Sequence, residues 1–189
     1  METVSFTAMA EGTREDYELL DRLGEEHMRA LPDRLLEALE GLRTSFAGYQ
    51  VTRYEHSLQS ATRAYDDGRD EEYVVAALLH DIGDELAPLT HGEFMGAVLR
   101  PYCRPEVVWI VRHHGVFQSY YYAHHTGGDR DARDRFRASP WFDACAEFCE
   151  KYDQNCFDPA FVSKPAAFFE PMVRRVFAEP RYLTGDEAI

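Results

Sequence analysis

The stretch ALLHDIGDE, Ala77 to Glu85, closes an apolar run on an adjacent histidine and aspartate. Val74, Ala77, Leu78 and Leu79 mark the run as an inward-facing helix, so the pair that ends it starts inside the molecule. A lone buried carboxylate is costly, and a dication is the simplest group that satisfies both His80 and Asp81. His56 sits in a second segment with Leu58 and Ala61 beside it, and is expected to point inward as well. An inward imidazole needs a partner.

Around these segments the periodicity is helical throughout. Helices are expected at Arg14 to Leu31, over PDRLLEALEGL with Pro32 near its first turn and Gly41 near its end, and at about His56–Tyr65, Glu71–Ile82, His91–Leu99, Pro105–His114, Trp141–Asp153 and Pro165–Ala178. Gly, Asp and Pro punctuation such as DDGRD and RPYCRP separates them, and no strand emerges. The stretch SYYYAHHTGGDRDARDRF reads as a long polar and aromatic connection. The expectation is an all-α bundle, a single domain over 1–189 with its metal core at about 50–160.

Composition narrows the function. A formal charge of −14 opposes polyanions, so neither nucleic acid nor an anionic membrane surface is an expected partner. No apolar run reaches the roughly 20 residues of a membrane span. The opening METVSFTAMAEGTRED lacks a basic segment followed by an apolar one, and a cytoplasmic location is expected. Cys103, Cys145, Cys149 and Cys156 form no CxxC pair and read as free buried thiols. The sequence leaves monomer and homodimer open.

Of eight histidines, His56, His80, His91, His113 and His114 fall on expected helices or their ends, and Asp153 follows in EKYDQNCFD. Imidazole and carboxylate together suit iron, manganese, zinc or nickel, and a carboxylate can bridge two ions.

The order His56, then His80-Asp81, then a distant Asp153 resembles the HD-domain superfamily of all-helical metalloproteins, most of them phosphohydrolases. With His91 and the RHHG helix end, the resemblance narrows to the mixed-valent diiron oxygenases. VRHHGVFQSYYYAHHTGGDRDAR and EFCEKYD are similar to stretches of myo-inositol oxygenase. The resemblance implies one iron on His56, His80, Asp81 and Asp153 and a second on Asp81, His91 and His114, with Asp81 bridging. It favours His114 over His113 and implies an Fe(II)/Fe(III) pair with O2 as co-substrate. The branch also includes small bacterial enzymes that cleave 1-hydroxyphosphonates to phosphate and a carboxylic acid.

One departure bears on substrate. Where inositol oxygenase places a polyol-binding lysine after its His-Asp pair, this chain has Asp84, with Glu85 next. An acid there suits a cationic group, and Tyr120, Tyr121 and Tyr122 offer cation-π faces. The expected substrate is a small zwitterionic phosphonate, 1-hydroxy-2-aminoethyl- or 1-hydroxy-2-(trimethylammonio)ethylphosphonate. Asp84, Gln118, Tyr120, Tyr122 and Arg130 are its candidate contacts; roles for His27, Tyr49 and Tyr54 stay open. The alternatives are a metal-dependent phosphohydrolase and a non-catalytic binding fold.

Overall fold

Thr52 fixes where the central part of the fold begins. Its hydroxyl accepts from the Glu55 amide while the Glu55 carboxylate accepts from the Thr52 amide, a reciprocal cap that starts a helix at Arg53. The computed structural model describes residues 2–183 and contains no strand among them. Its helices are α1 (Arg14–Arg29), α2 (Leu31–Gly41), α3 (Arg53–Asp66), α4 (Glu71–Leu79), α5 (His91–Leu99), α6 (Pro105–Tyr122), α7 (Phe142–Phe148) and α8 (Ala166–Val176). A π-helical turn, Cys149–Asp153, continues α7. The expected all-α bundle is what forms. No described helix is long and apolar enough to cross a membrane.

α4 is the axis of the core. Every residue from Tyr73 to Leu79 is buried, as expected for a helix apolar on all faces. Leu58 and Ala61 of α3, Ile110 and Val111 of α6, Phe148 of α7 and Phe169 and Val173 of α8 belong to the same buried cluster. α1 differs: only Asp16 is buried there. All four cysteines are buried free thiols, and burial pushes those of Cys103 and Cys156 up to about 12.

Several boundaries move. α3 starts three residues before His56, because the Thr52 cap acts upstream of the apolar pattern. α4 ends at Leu79, and His80 to Leu86 form turns. α6 does not stop at His114. Gly115 is an interior residue rather than a terminator, so Ser119 to Tyr122 are the last turn of α6 and not the start of a connection. Short 3-10 turns at Ala123–Thr126 and Ala132–Phe136 organise the rest of that segment.

Candidate metal centre

Five elements deliver side chains to one point. α3 brings His56 and the turn after α4 brings His80 and Asp81. α5 opens with His91, α6 carries His114 in its middle, and the π-helical turn presents Asp153. Glycine allows α5 and α6 to meet this closely: a Cβ on Gly92 would stand 2.9 Å from the backbone oxygens of Val111 and Arg112. All six residues are buried except His91, which is half-buried.

The imidazoles form two pairs. His56 Nε2 is 3.2 Å from His80 Nε2, and His91 Nε2 is 3.1 Å from His114 Nε2. Asp81 lies between the pairs. Its Oδ2 is 3.3 Å from His56 Nε2 and 3.0 Å from His80 Nε2, while its Oδ1 is 3.5 Å from His91 Nε2 and 3.3 Å from His114 Nε2. Asp153 Oδ1 completes the first group, 3.5 Å from His56 and 3.9 Å from His80.

Backbone carbonyls set the tautomers, since a carbonyl only accepts. His56 Nδ1–H donates to Cys156 at 3.1 Å, His80 Nδ1–H to Ala77 at 2.8 Å and His114 Nδ1–H to Val111 at 2.6 Å. In the neutral rings each Nε2 therefore aims a lone pair at the centre. Two lone pairs 3.2 Å apart repel unless a proton or a cation stands between them. The charges of the region respond accordingly. Burial opposes a charge on His80, yet the Asp81 and Asp153 carboxylates raise its pKa to about 9. Burial likewise penalises the Asp81 carboxylate, but His80, Arg53 and hydrogen bonds from His114 and His56 hold it well below the usual carboxylate range.

These groups fit metal ions. Metal–nitrogen distances of about 2.0–2.1 Å put neighbouring ligands on one ion about 3 Å apart, close to the separations within each pair. Asp153 Oδ2 is buried without a hydrogen-bond partner, an orphan that a cation would satisfy. The mixed imidazole and carboxylate set suits iron, manganese or zinc. Three overlapping groups could each hold an ion: His56 with His80 and Asp81; His80 with His114 and Asp153; and Asp81 with His91 and His114.

His113 is elsewhere. Its ring stacks on Trp109 with centroids 4.2 Å apart, and its Nδ1–H donates to the Trp109 carbonyl at 2.8 Å.

A cavity of about 690 Å³ opens onto the centre. Asp84, Gln118 and Tyr122 line it, as do Tyr49 and Tyr121. Asp84 is not free to receive a cation: Arg53 donates to its Oδ2 at 2.8 and 3.1 Å, and its Oδ1 is 3.2 Å from His91 Nδ1. Gln118 donates its Nε2–H to Asp153 Oδ1 at 2.8 Å. Tyr120 and Arg130 lie outside the lining. The Arg130 guanidinium covers the Tyr120 ring at 4.2 Å and that of Arg133 at 3.7 Å, because Tyr120 leaves α6 on the side where the 3-10 segment packs. His27 is exposed on α1, and Tyr54 is buried beneath the Arg43 guanidinium at 3.6 Å; neither lines the cavity.

Sequence reasoning missed Arg53 and the rings of Phe46 and Phe157, all of which line the cavity. Arg53 carried a readable signal, standing three residues before His56 and so on the same helix face. Burial and the charges of Asp81 and Asp84 bear on Arg53, and the carboxylates prevail, raising its pKa further.

Residues 53–140 match the model of the HD domain. An 86-residue stretch is 35% identical to a protein of Leisingera caerulea described as [1-hydroxy-2-(trimethylamino)ethyl]phosphonate dioxygenase (glycine-betaine-forming). That match covers 40% of this chain and 44% of the relative, so less than half of either is aligned. His56, His80, Asp81, His91 and His114 all fall within the segment that matches the HD-domain model.

Proposed function

We propose that this protein is an oxygenase that uses a mixed-valent diiron centre and O2 to cleave the C–P bond of a 1-hydroxy-2-(trimethyl)aminoethylphosphonate. The products are phosphate and glycine betaine, or glycine from the unmethylated substrate. The observation that carries this reading is the placement of Asp81, with one carboxylate oxygen toward each histidine pair. The Leisingera caerulea relative supports the same class of reaction. The reaction balances without a further reductant: both atoms of O2 enter the products, the C–P bond is lost, and the hydroxyl-bearing carbon leaves as a carboxylate.

His56, His80, Asp81 and Asp153 would hold one iron and Asp81, His91 and His114 the other. When bound, the Fe(II)/Fe(III) pair supplies the one-electron chemistry that activates O2. The chain's own groups bind and orient. Arg53, on the cavity wall beside Asp81, spends Nε and Nη2 on Asp84 and Asp81 and would offer phosphonate oxygens its positive charge and its remaining N–H groups. Gln118 keeps a buried, unpartnered Oε1 that can accept a hydrogen bond from the substrate hydroxyl. We read the whole chain as one HD domain, with α2 and α8 packed together outside the matched segment. Its free thiols fit a reducing cytoplasm.

The test is phosphate release from the (trimethylammonio)ethyl substrate by iron-loaded protein with and without O2. One phosphate and one betaine per O2 consumed is the expected result. Release that continues unchanged under anaerobic conditions would move the protein to the metal-dependent phosphohydrolases.

A further inference from the structure

The proposed substrate carries a cation as well as a phosphonate, and of the side chains expected to receive that cation Tyr121 and Tyr122 line the cavity while Asp84 and Tyr120 are engaged elsewhere. Asp84 is bound by Arg53, and Tyr120 is covered by two arginines outside the cavity. Glu85 is the remaining acid of the lining beyond the metal centre, and it is exposed to solvent.

Across the cavity from α6 stands a continuous run of aromatic rings that begins at the metal centre. Phe157 stacks on the imidazole of His56 with centroids 4.5 Å apart and planes 25° apart. Tyr49 stacks on Phe157 at 4.6 Å and 27°, and Phe46 meets Tyr49 edge-on at 6.2 Å and 67°. All three line the cavity. The run begins on a histidine of the metal centre and ends at the mouth, where Tyr49 is 50% and Phe46 71% exposed. Large rings left this open beside a polar site are out of place unless a ligand covers them. The Arg53 guanidinium already stands 5.8 Å from the Tyr49 centroid, with its charge matched by Asp81 and Asp84.

A trimethylammonium group has no N–H to donate and is recognised through aromatic faces, whereas a primary ammonium needs hydrogen-bond acceptors. Only two carbons separate phosphorus from nitrogen in the proposed substrate. With its hydroxyl and phosphonate at the metal centre, the cation would extend two carbons outward into the cavity that these rings line.

We propose that the open rings of Phe46 and Tyr49, with Phe157 stacked behind Tyr49 to hold it, form the cation subsite and select a quaternary over a primary ammonium. The inference rests on the oxygenase reading for which end of the substrate faces the metal centre, but its test needs no turnover.

The test is calorimetric titration of the iron-loaded protein, under anaerobic conditions, with glycine betaine, its uncharged-tail isostere 3,3-dimethylbutanoate, and glycine. Betaine is expected to bind about tenfold more tightly than either of the others. Tyr49→Leu should weaken betaine about tenfold and leave 3,3-dimethylbutanoate unchanged, while Tyr49→Phe, which keeps the ring face, should behave as the parent. Equal binding of betaine and 3,3-dimethylbutanoate, no binding of betaine, or a preference that survives Tyr49→Leu would overturn the subsite. The wild-type comparison decides the matter even if Tyr49→Leu folds poorly. A flat binding preference in an active oxygenase would sink the subsite alone; oxygen-independent phosphate release with the preference intact would sink the oxygenase reading alone.

Discussion

Arg53 Nη2 stands 2.5 Å from Asp81 Oδ2, so the carboxylate that faces both histidine pairs is also held by a cation from the first residue of α3. The same guanidinium reaches Asp84. One arginine thus links the metal centre to the cavity wall.

Arg53→Met is expected to raise KM for the phosphonate at least about tenfold while changing kcat by less than about threefold, as for a group that binds the anion in ground and transition states alike. Steady-state phosphate release measures both. A kcat that falls as far as kcat/KM would instead make Arg53 an organiser of Asp81.

Metal content should separate the ligands by position. Asp81→Ala removes the group common to both pairs and is expected to leave less than one ion per chain. Asp153→Asn leaves Asp81, His91 and His114 together and should retain about one of two. His113→Ala, which loses its ring contacts with Trp109 and Phe136 and its bond to the Trp109 carbonyl but no group at the centre, should keep the full complement. Elemental analysis after desalting reads all three.

Thr52→Ala removes the cap that starts α3. The expected loss is about 1 kcal/mol, which for a chain of this size lowers Tm by about 2–4 °C in the metal-free protein. Thermal melting followed by circular dichroism gives the value, and Thr52→Ser should restore it.

Acid should release the N-terminal segment. Asp16 accepts from the amides of Ser5 and Thr13 at 2.7 and 2.9 Å and from their hydroxyls at 2.9 and 3.0 Å. These bonds, those of the Thr13 and Ser5 amides foremost, lower its pKa to about 2. Because the folded value lies below the ordinary 3.8, this anchorage is fully present above about pH 4 and is lost as pH falls toward 2. Amide hydrogen exchange at Ser5 and Thr13 should lose protection over that window, and Asp16→Asn should be unprotected at every pH.

Much of this molecule was readable from the chain. The apolar run Val74 to Leu79 ending in His80-Asp81 led to a buried helix with its last side chains at a polar centre, since burial on all faces leaves such a pair nowhere else to go. His56 interrupts an apolar face in the same way, whereas His91, which opens α5, His114 and Asp153 were legible through the resemblance to the diiron oxygenases. What escaped depends on directions around a helix or on contacts between distant segments. Gly115 reads as a stop but continues α6, which turned Tyr120 toward Arg130 and Arg133 and left Tyr121 and Tyr122 on the cavity. Asp84 kept its place, yet its charge is matched by Arg53, a partner 31 residues away that no local pattern announces. The column of His56, Phe157 and Tyr49 joins residues about a hundred positions apart in sequence.

α4 lies at the middle of the packed interior and runs directly into His80 and Asp81. Whatever grips those two residues also clamps the rod around which the other helices are stacked, so occupancy of the centre and survival of the polypeptide are thermodynamically linked. A chain whose centre is left empty would open more often and be degraded sooner, so the supply of metal would set the lifetime of the polypeptide.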